Sequence, residues 1–506
     1  MGCNILKCTC GKTRFFPQRY VIAILCLAGI LVGYGHRVSL TLAITVMTNV
    51  SVSRSTSCPP RNATVAAKQN LSGGVIDWSN REQNLVLGAF YPGYLIGHLP
   101  VGILSDQYGG RWVFGIGLFI STVITLATHI VVIKFPYWAT MILRNIMGLG
   151  QSVIYVAIST IYAKWIPKEE RSIIGGFSFA ANSLGMIFGN LITGMVINLA
   201  GNWPIAFYMW GILGIIWCVF FLIYGYSEPE TSPVITDKEK EFLQENIVHG
   251  HRPKIPWLGF ATDIGIWALV ISEIGHDFTI FTLINNFPKY LSDVLQYDLG
   301  DNAILSSMPY VAQWVGGVIA GQVTDYLIKK KNYDVLLCRK VGSTLGIAVP
   351  STFVLIAGYM GCNGTLVILM FTLYLLFKGV MYSAMKVNHL DMTIHFAGIL
   401  MALSNGIGAL TGYVSPEVIS AVAPDNTLEQ WLIVFWIVWA VAFACNLFYI
   451  FFARASRRKW DYSPEEMDQY EKDEQARKSE KEQKKLEKAR RKEERKNKRN
   501  EAGPST

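Results

Sequence analysis

The chain has 506 residues, 51% hydrophobic and only 16% charged, a balance that excludes a string of ordinary soluble domains. Its formal charge of +9 arises from 45 Lys and Arg against 36 Asp and Glu. The basic residues gather in the N-terminal segment, short polar loops and the tail, a membrane-topology signal that sets nucleic acid aside. Nine scattered cysteines form neither a zinc spacing nor a disulfide-dense framework.

A spanning helix needs about 20 largely apolar residues, and twelve stretches qualify. Six are predicted near 21–48, 84–104, 112–132, 137–163, 172–199 and 204–224. Six more are predicted near 264–283, 303–323, 341–360, 366–383, 397–421 and 431–453. The first run is too long for a cleavable signal peptide and lacks a cleavage site. The fold class is therefore all-α integral membrane, with twelve transmembrane helices in two six-helix bundles. Residues 1–20 are read as a cytoplasmic segment, 21–226 as the first bundle with an outer loop at 49–83, and 227–260 as a cytoplasmic linker. Residues 261–454 form the second bundle and 455–506 a charged cytoplasmic tail, solvated or disordered, whose basic stretch suits anionic lipid.

Orientation follows from loop charge. Lys7, Lys12, Arg14 and Arg19 precede the first span, Lys164, Lys168 and Arg171 follow the fourth, and Lys329, Lys330, Lys331, Arg339 and Lys340 follow the eighth. These loops and both termini are expected on the cytoplasmic side. The opposite side then carries acceptor sequons at Asn49, Asn62 and Asn70. Cys58 and Cys362 also fall there, so one external disulfide is open to them.

The second span ends in GILSDQYGGR, with Gly102, Asp106, Gly109, Gly110 and Arg111 across the next loop. The glycines permit a tight turn and close helix contact, and Asp106 with Arg111 can form a charge latch that breaks as two halves rock. The corresponding place in the second half reads GQVTDYLIKKK, with Gly321 and Asp325 at the same spacing and Lys329 nearby. Duplicated halves point to a carrier with a central site exposed alternately to each side. The motif resembles the signature loop of the major facilitator superfamily. Further blocks narrow the resemblance: RNIMGLGQSVIYVAISTIYAKWIPKEERS, FTLINNFPKYL and NHLDMTIHFAGILMALSNGIGALTGYVSPEVI. These resemble the anion and cation symporter family of sialin, vesicular glutamate transporters and sodium-phosphate cotransporters, and the likeness runs through all twelve spans.

Ionisable residues inside spans are the functional candidates, because an unpaired charge in hydrocarbon costs several kcal/mol. Arg37 in the first span and Arg144 in the fourth match arginines that the resemblance implies line the anion pathway; the alternative is a structural ion pair or snorkelling at a helix end. Glu273, His276 and Asp277 share overlapping faces of the seventh span. Glu273 and Asp277 are the coupling candidates and His276 a substrate contact, against a fixed salt bridge to an arginine. Lys378 in the tenth span is expected to form a structural pair with Glu273 or Asp277. Tyr91 and Tyr94 resemble the family's aromatic-Gly-Tyr element and join the substrate contacts. Two departures count against vesicular glutamate transport and against proton coupling through the fourth span. Gln151 stands where proton-coupled relatives carry a glutamate, able to hydrogen-bond a substrate but not to titrate. Leu87 stands where glutamate carriers have histidine.

The resulting expectation is a secondary active carrier of an acidic organic solute, such as a sialate or acidic amino acid, coupled to protons or sodium. Sodium-dependent phosphate cotransport is the alternative, and a non-transporting anion sensor the remote one. A membrane enzyme built on His389 and Asp391 lacks a nucleophile. No catalytic residue, cofactor, metal or nucleic-acid partner is expected. The carrier is expected to work as a monomer, in the plasma membrane or an endolysosomal or vesicular membrane.

Overall fold

Hydrocarbon offers no water to backbone N–H and C=O groups, so each apolar run closes its hydrogen bonds internally as a helix. A computed structural model describes residues 17–48, 58, 76–246, 255–393, 396–462 and 467. Within them the first half comprises α1 (Gln18–Met47), α2 (Asn80–Gly88 continuing as Phe90–Tyr108), α3 (Gly110–Lys134), α4 (Tyr137–Gln151 continuing as Ile154–Trp165), α5 (Lys168–Ala200) and α6 (Pro204–Tyr224). The second half comprises α7 (Ile264–Asp293), α8 (Leu299–Lys329), α9 (Val335–Gly346 and Ala348–Tyr359), α10 (Gly364–Lys378, a 3-10 turn Gly379–Ser383, then Met385–Met392), α11 (Ala397–Ala409 and Thr411–Val422) and α12 (Leu428–Phe452). Ten of these spans are long and apolar enough to cross a membrane, and α2 and α11, each built of two segments, complete the twelve. Large apolar side chains such as Ile116, Phe119, Ile216, Phe220, Phe443 and Leu447 point outward, which is the lipid-facing belt such a fold requires.

Polar residues set the helix ends. Ser79 and Glu82 form a capping box at the start of α2, and Thr427 and Gln430 form another at α12. Gly109 has φ +83°, a conformation open to glycine and strained for other residues, and makes the turn into α3. The next residue, Gly110, lies so near α4 that an added Cβ would sit 2.6 Å from the Ala157 carbonyl oxygen. The paired glycines of the loop motif thus divide the two tasks expected of them.

The flanking segments dock. In the linker helix Asp237–Asn246, the Glu239 carboxylate accepts the Gln18 and Arg19 N–H groups at 2.8 and 3.0 Å, satisfying the first turn of α1. After α12 the chain does not pass directly into a solvated tail. Residues 453–462 fold back on the second half: Arg458 forks onto Asp263 at 2.6 and 3.2 Å, and the Trp460 indole N–H adds a bond at 2.8 Å. Asp461, fully buried, accepts from Thr393 and from Arg457. On the opposite face Cys58 and Cys362 are joined in a disulfide between the first half's outer loop and the α9–α10 connection. Asn49, Asn62 and Asn70 lie outside the described residues.

Candidate functional site: an arginine pair facing an acid–lysine cluster

α1, α2 and α4 bring Arg37, Phe90, Tyr91 and Arg144 together midway through the first half. The Arg37 guanidinium lies 4.6 Å from the centre of the Phe90 ring and Arg144 lies 5.5 Å from the same ring. Arg37 donates to the Tyr91 hydroxyl at 2.7 Å. Arg144 reaches the Arg37 carbonyl oxygen at 3.4 Å and the Met147 sulfur at 3.5 Å, and its Nε has no partner. Both are buried, at 7% and 3% exposure. Among the described residues neither is paired with a carboxylate. Aromatic faces attract a cation but do not cancel its charge, so the pair is a positive centre without a paired carboxylate.

The second half faces it with a cluster on α7, α10 and α11. Glu273, fully buried, forms an ion pair through Oε1 with Lys386, whose Nζ also donates to Asn405 at 2.5 Å. The Glu273 Oε2 has no partner. Asp277 lies one turn along α7. The close approach of α11 depends on Gly408, where an added Cβ would come within 2.9 Å of the Glu273 side chain. His276 is buried with its Nδ1 unpartnered. The halves meet through Tyr91, whose hydroxyl donates to the Asn285 Oδ1 at 3.0 Å and whose ring is 4.6 Å from Phe281.

One pairing expectation needs correction, and the other candidate residues have local partners. Lys378 forms no ion pair with Glu273 or Asp277. It is fully buried and donates to the Thr279 hydroxyl at 2.5 Å and the His276 carbonyl at 3.2 Å, while Lys386 takes the place beside Glu273. Gln151 donates its amide to the Gly33 carbonyl at 2.9 Å, tying α4 to α1. Tyr94, half-buried, packs 4.3 Å from the His98 ring. In the loop motif, Arg111 donates to the Leu222 carbonyl at 2.5 Å and lies over Tyr226, so it closes the end of α6. Gly102 and Asp106 lie on α2, their side chains outside the described residues. Asp325 pairs with Lys329 one turn on at 2.7 Å, both exposed, a local contact rather than one between halves.

Lys386, Asn285 and Asn405 were not singled out from sequence. Lys386 lies just past the predicted end of the tenth span near residue 383, beyond the apolar run that marks the span. Continuing that helix through a short break would have turned it inward.

A family model described as Major Facilitator Superfamily matches residues 25–416. Sialin of Ovis aries is 30% identical over 452 residues, 88% of this chain and 91% of that protein. A Drosophila melanogaster protein named "Putative inorganic phosphate cotransporter" is 30% identical over 471 residues, 90% of this chain and 88% of that one. Vesicular glutamate transporter 2 of Homo sapiens is 28% identical over 471 residues, 91% and 78% of the two chains. Among solved structures, a bacterial homolog of the human lysosomal transporter Spinster, inward-facing and occupied, aligns with a TM-score of 0.62 at 13% identity, covering 89% of this chain and 100% of that one, a likeness of fold.

Proposed function

The chain belongs to the major facilitator superfamily, in the branch of sialin, the vesicular glutamate transporters and the inorganic phosphate cotransporters, and on that premise we propose that it carries a small organic acid anion across the membrane by alternating access. The observation that carries this reading is the buried arginine pair. Holding two guanidinium groups without a paired carboxylate inside a membrane protein costs several kcal/mol, and an arriving carboxylate offsets that cost while gripping a guanidinium through two parallel hydrogen bonds. Arg37 and Arg144 are the anion contacts and Tyr91 orients Arg37. Glu273 is the coupling residue: its unpartnered oxygen is a place for a proton, and its carboxylate is shielded from water. Asp277 and His276 flank it.

The fly relative's name favours inorganic phosphate as a second reading, and an arginine pair grips a phosphate as well as it grips a carboxylate. The loop charges favour both termini on the cytoplasmic side. His389 and Asp391 are engaged structurally, His389 with Ser404 at 2.8 Å and Asp391 with Arg339 at 2.7 Å.

The test is uptake of labelled sialate, glutamate and phosphate into proteoliposomes under separately imposed proton and sodium gradients, with Arg144→Ala alongside. Proton-driven carboxylate uptake lost in the variant is expected. Sodium-driven phosphate uptake would establish the second reading, and binding without flux would replace transport by anion sensing.

A further inference from the structure

We propose that Lys386 is a shared cation: Glu273 holds it while the site is empty, and an acceptor group of the passenger holds it once Glu273 takes up a proton. This rests on the anion-transport reading and supplies the link between load and coupling ion that such a carrier needs.

The first support is asymmetry of access. Within the pair the Glu273 side chain is 0% exposed and that of Lys386 15%. A solute entering between the halves therefore meets the ammonium and not the carboxylate. The carboxylate has one oxygen on Lys386 and the other without a partner. A proton on Glu273 turns a carboxylate into a carboxylic acid and removes the charge that held the lysine.

The second support is the break in α10. The helix tightens to a 3-10 turn over Gly379–Ser383, leaves helical geometry at Ala384 (φ −104°, ψ −91°) and restarts at Met385. Lys386 is thus the second residue of a short segment that can turn without moving the longer piece Gly364–Lys378. Broken helices at the midplane are where carriers of this architecture place their sites. Lys378, ahead of the break, is fully buried on two oxygens of α7 and does not share this freedom.

The third support is what faces the pair. α1 contributes Tyr34, with Arg37 acting on the neighbouring Asp277, and α2 contributes His98. α7 contributes Asp277 and His276, and α10 contributes Lys378, Tyr382 and His389. α11 offers the neutral Asn405. Among the described residues Asp277 is thus the one other carboxylate close by, so Arg37, Arg144, Lys378 and Lys386 meet only two acids at the centre. Protonating Glu273 leaves Lys386 without its ion partner, facing the half that holds the arginine pair. The preferred passenger has one anionic group for Arg37 and Arg144 and a second acceptor group for Lys386.

Counterflow exchange of labelled glutamate, sialate and phosphate by the full chain, at equal pH on both sides from pH 8 to 5, tests this. Wild-type KM should fall as pH falls. Glu273→Gln should exchange with the low KM at every pH, because the lysine is always released. Lys386→Met alone strands a buried carboxylate, so the decisive variant is Glu273→Gln with Lys386→Met, which removes both charges. Its KM should be independent of pH and about tenfold or more above that of Glu273→Gln, the loss of a charge-assisted contact, while Lys386→Arg with Glu273 intact should keep the pH dependence of the wild type. A wild-type KM that ignores pH, or a double variant matching Glu273→Gln, overturns the proposal while exchange itself upholds transport. No wild-type exchange of any of the three anions overturns the transport reading and this proposal with it.

Discussion

Removing the hydroxyl of Tyr91 separates two contributions that meet at one atom. The hydroxyl accepts from Arg37 at 2.7 Å within the first half and donates to Asn285 at 3.0 Å across to the second. Tyr91 is 1% exposed, so no bulk water replaces either partner in Tyr91→Phe. A bond to a charged group contributes about 1.5–3 kcal/mol and a neutral one about 0.5–1.5 kcal/mol. The first bond lies inside one half and persists however the halves rock, so its loss lowers the stability of the fold. The second exists only while the halves are apposed as here, so its loss shifts the conformational equilibrium, by about twofold to tenfold. A double-mutant cycle with Asn285→Ala, read by thermal melting in detergent and by KM, isolates the inter-half bond. The expected coupling is about 1 kcal/mol. Additive effects, or a Tyr91→Phe protein that melts and transports like wild type, would refute the assignment.

Packing and charge set the remaining outcomes. At Gly148 an added Cβ would lie 2.9 Å from the Tyr94 nitrogen, so Gly148→Ala must push α4 off α2 and should destabilise by about 1–3 kcal/mol. At Gly321 an added Cβ meets nothing within 4 Å, and Gly321→Ala should melt at or slightly above the wild-type temperature. Non-reducing digestion and mass spectrometry should yield one cross-linked peptide joining Cys58 to Cys362, lost in Cys362→Ser. Burial pushes the Asp263 carboxyl up, but bonds from the Arg458 guanidinium, the Trp460 indole and the Gly265 N–H outweigh it and hold the group below its ordinary value. A carboxyl depressed in this way contributes stability above its unfolded pKa of about 3.9 and loses it as pH falls through the folded value. Hydrogen exchange over residues 453–462 should therefore stay protected from pH 7 to 5 and rise only below about pH 4, whereas Asp263→Asn should expose the segment at pH 7.

Much of this architecture is legible in the chain itself. Apolar run lengths locate twelve spans because the bilayer imposes one thickness on every crossing, and the repeated Gly-Asp spacing near the C-terminal ends of α2 and α8 exposes the two halves. Arg37, Arg144 and Glu273 stand out because charge in hydrocarbon needs a reason. Leu87, where glutamate carriers have histidine, proves to be a fully buried core residue. Contacts between distant helices were not legible. Whether Gln151 faces a substrate or the Gly33 carbonyl depends on how α4 is rotated against α1, and Asp325 turned to its own neighbour Lys329 where the repeat had suggested a latch. Residues 453–462 share the charged composition of the C-terminal tail, yet Arg458 finds Asp263, and Asp461 adds Thr393 to its neighbour Arg457, only once the start of α7 and the α10–α11 connection lie beside them. The choice between Lys378 and Lys386 is the clearest case. Hydrophobicity predicts a helix ending near 383, whereas in the fold a 3-10 turn and the kink at Ala384 reset the helical phase and aim Lys386 at Glu273. Composition and periodicity report which surfaces must leave water, a property of each segment alone, but the partner of a buried charge is set by helices hundreds of residues apart meeting at one depth, and only the tertiary structure supplies that.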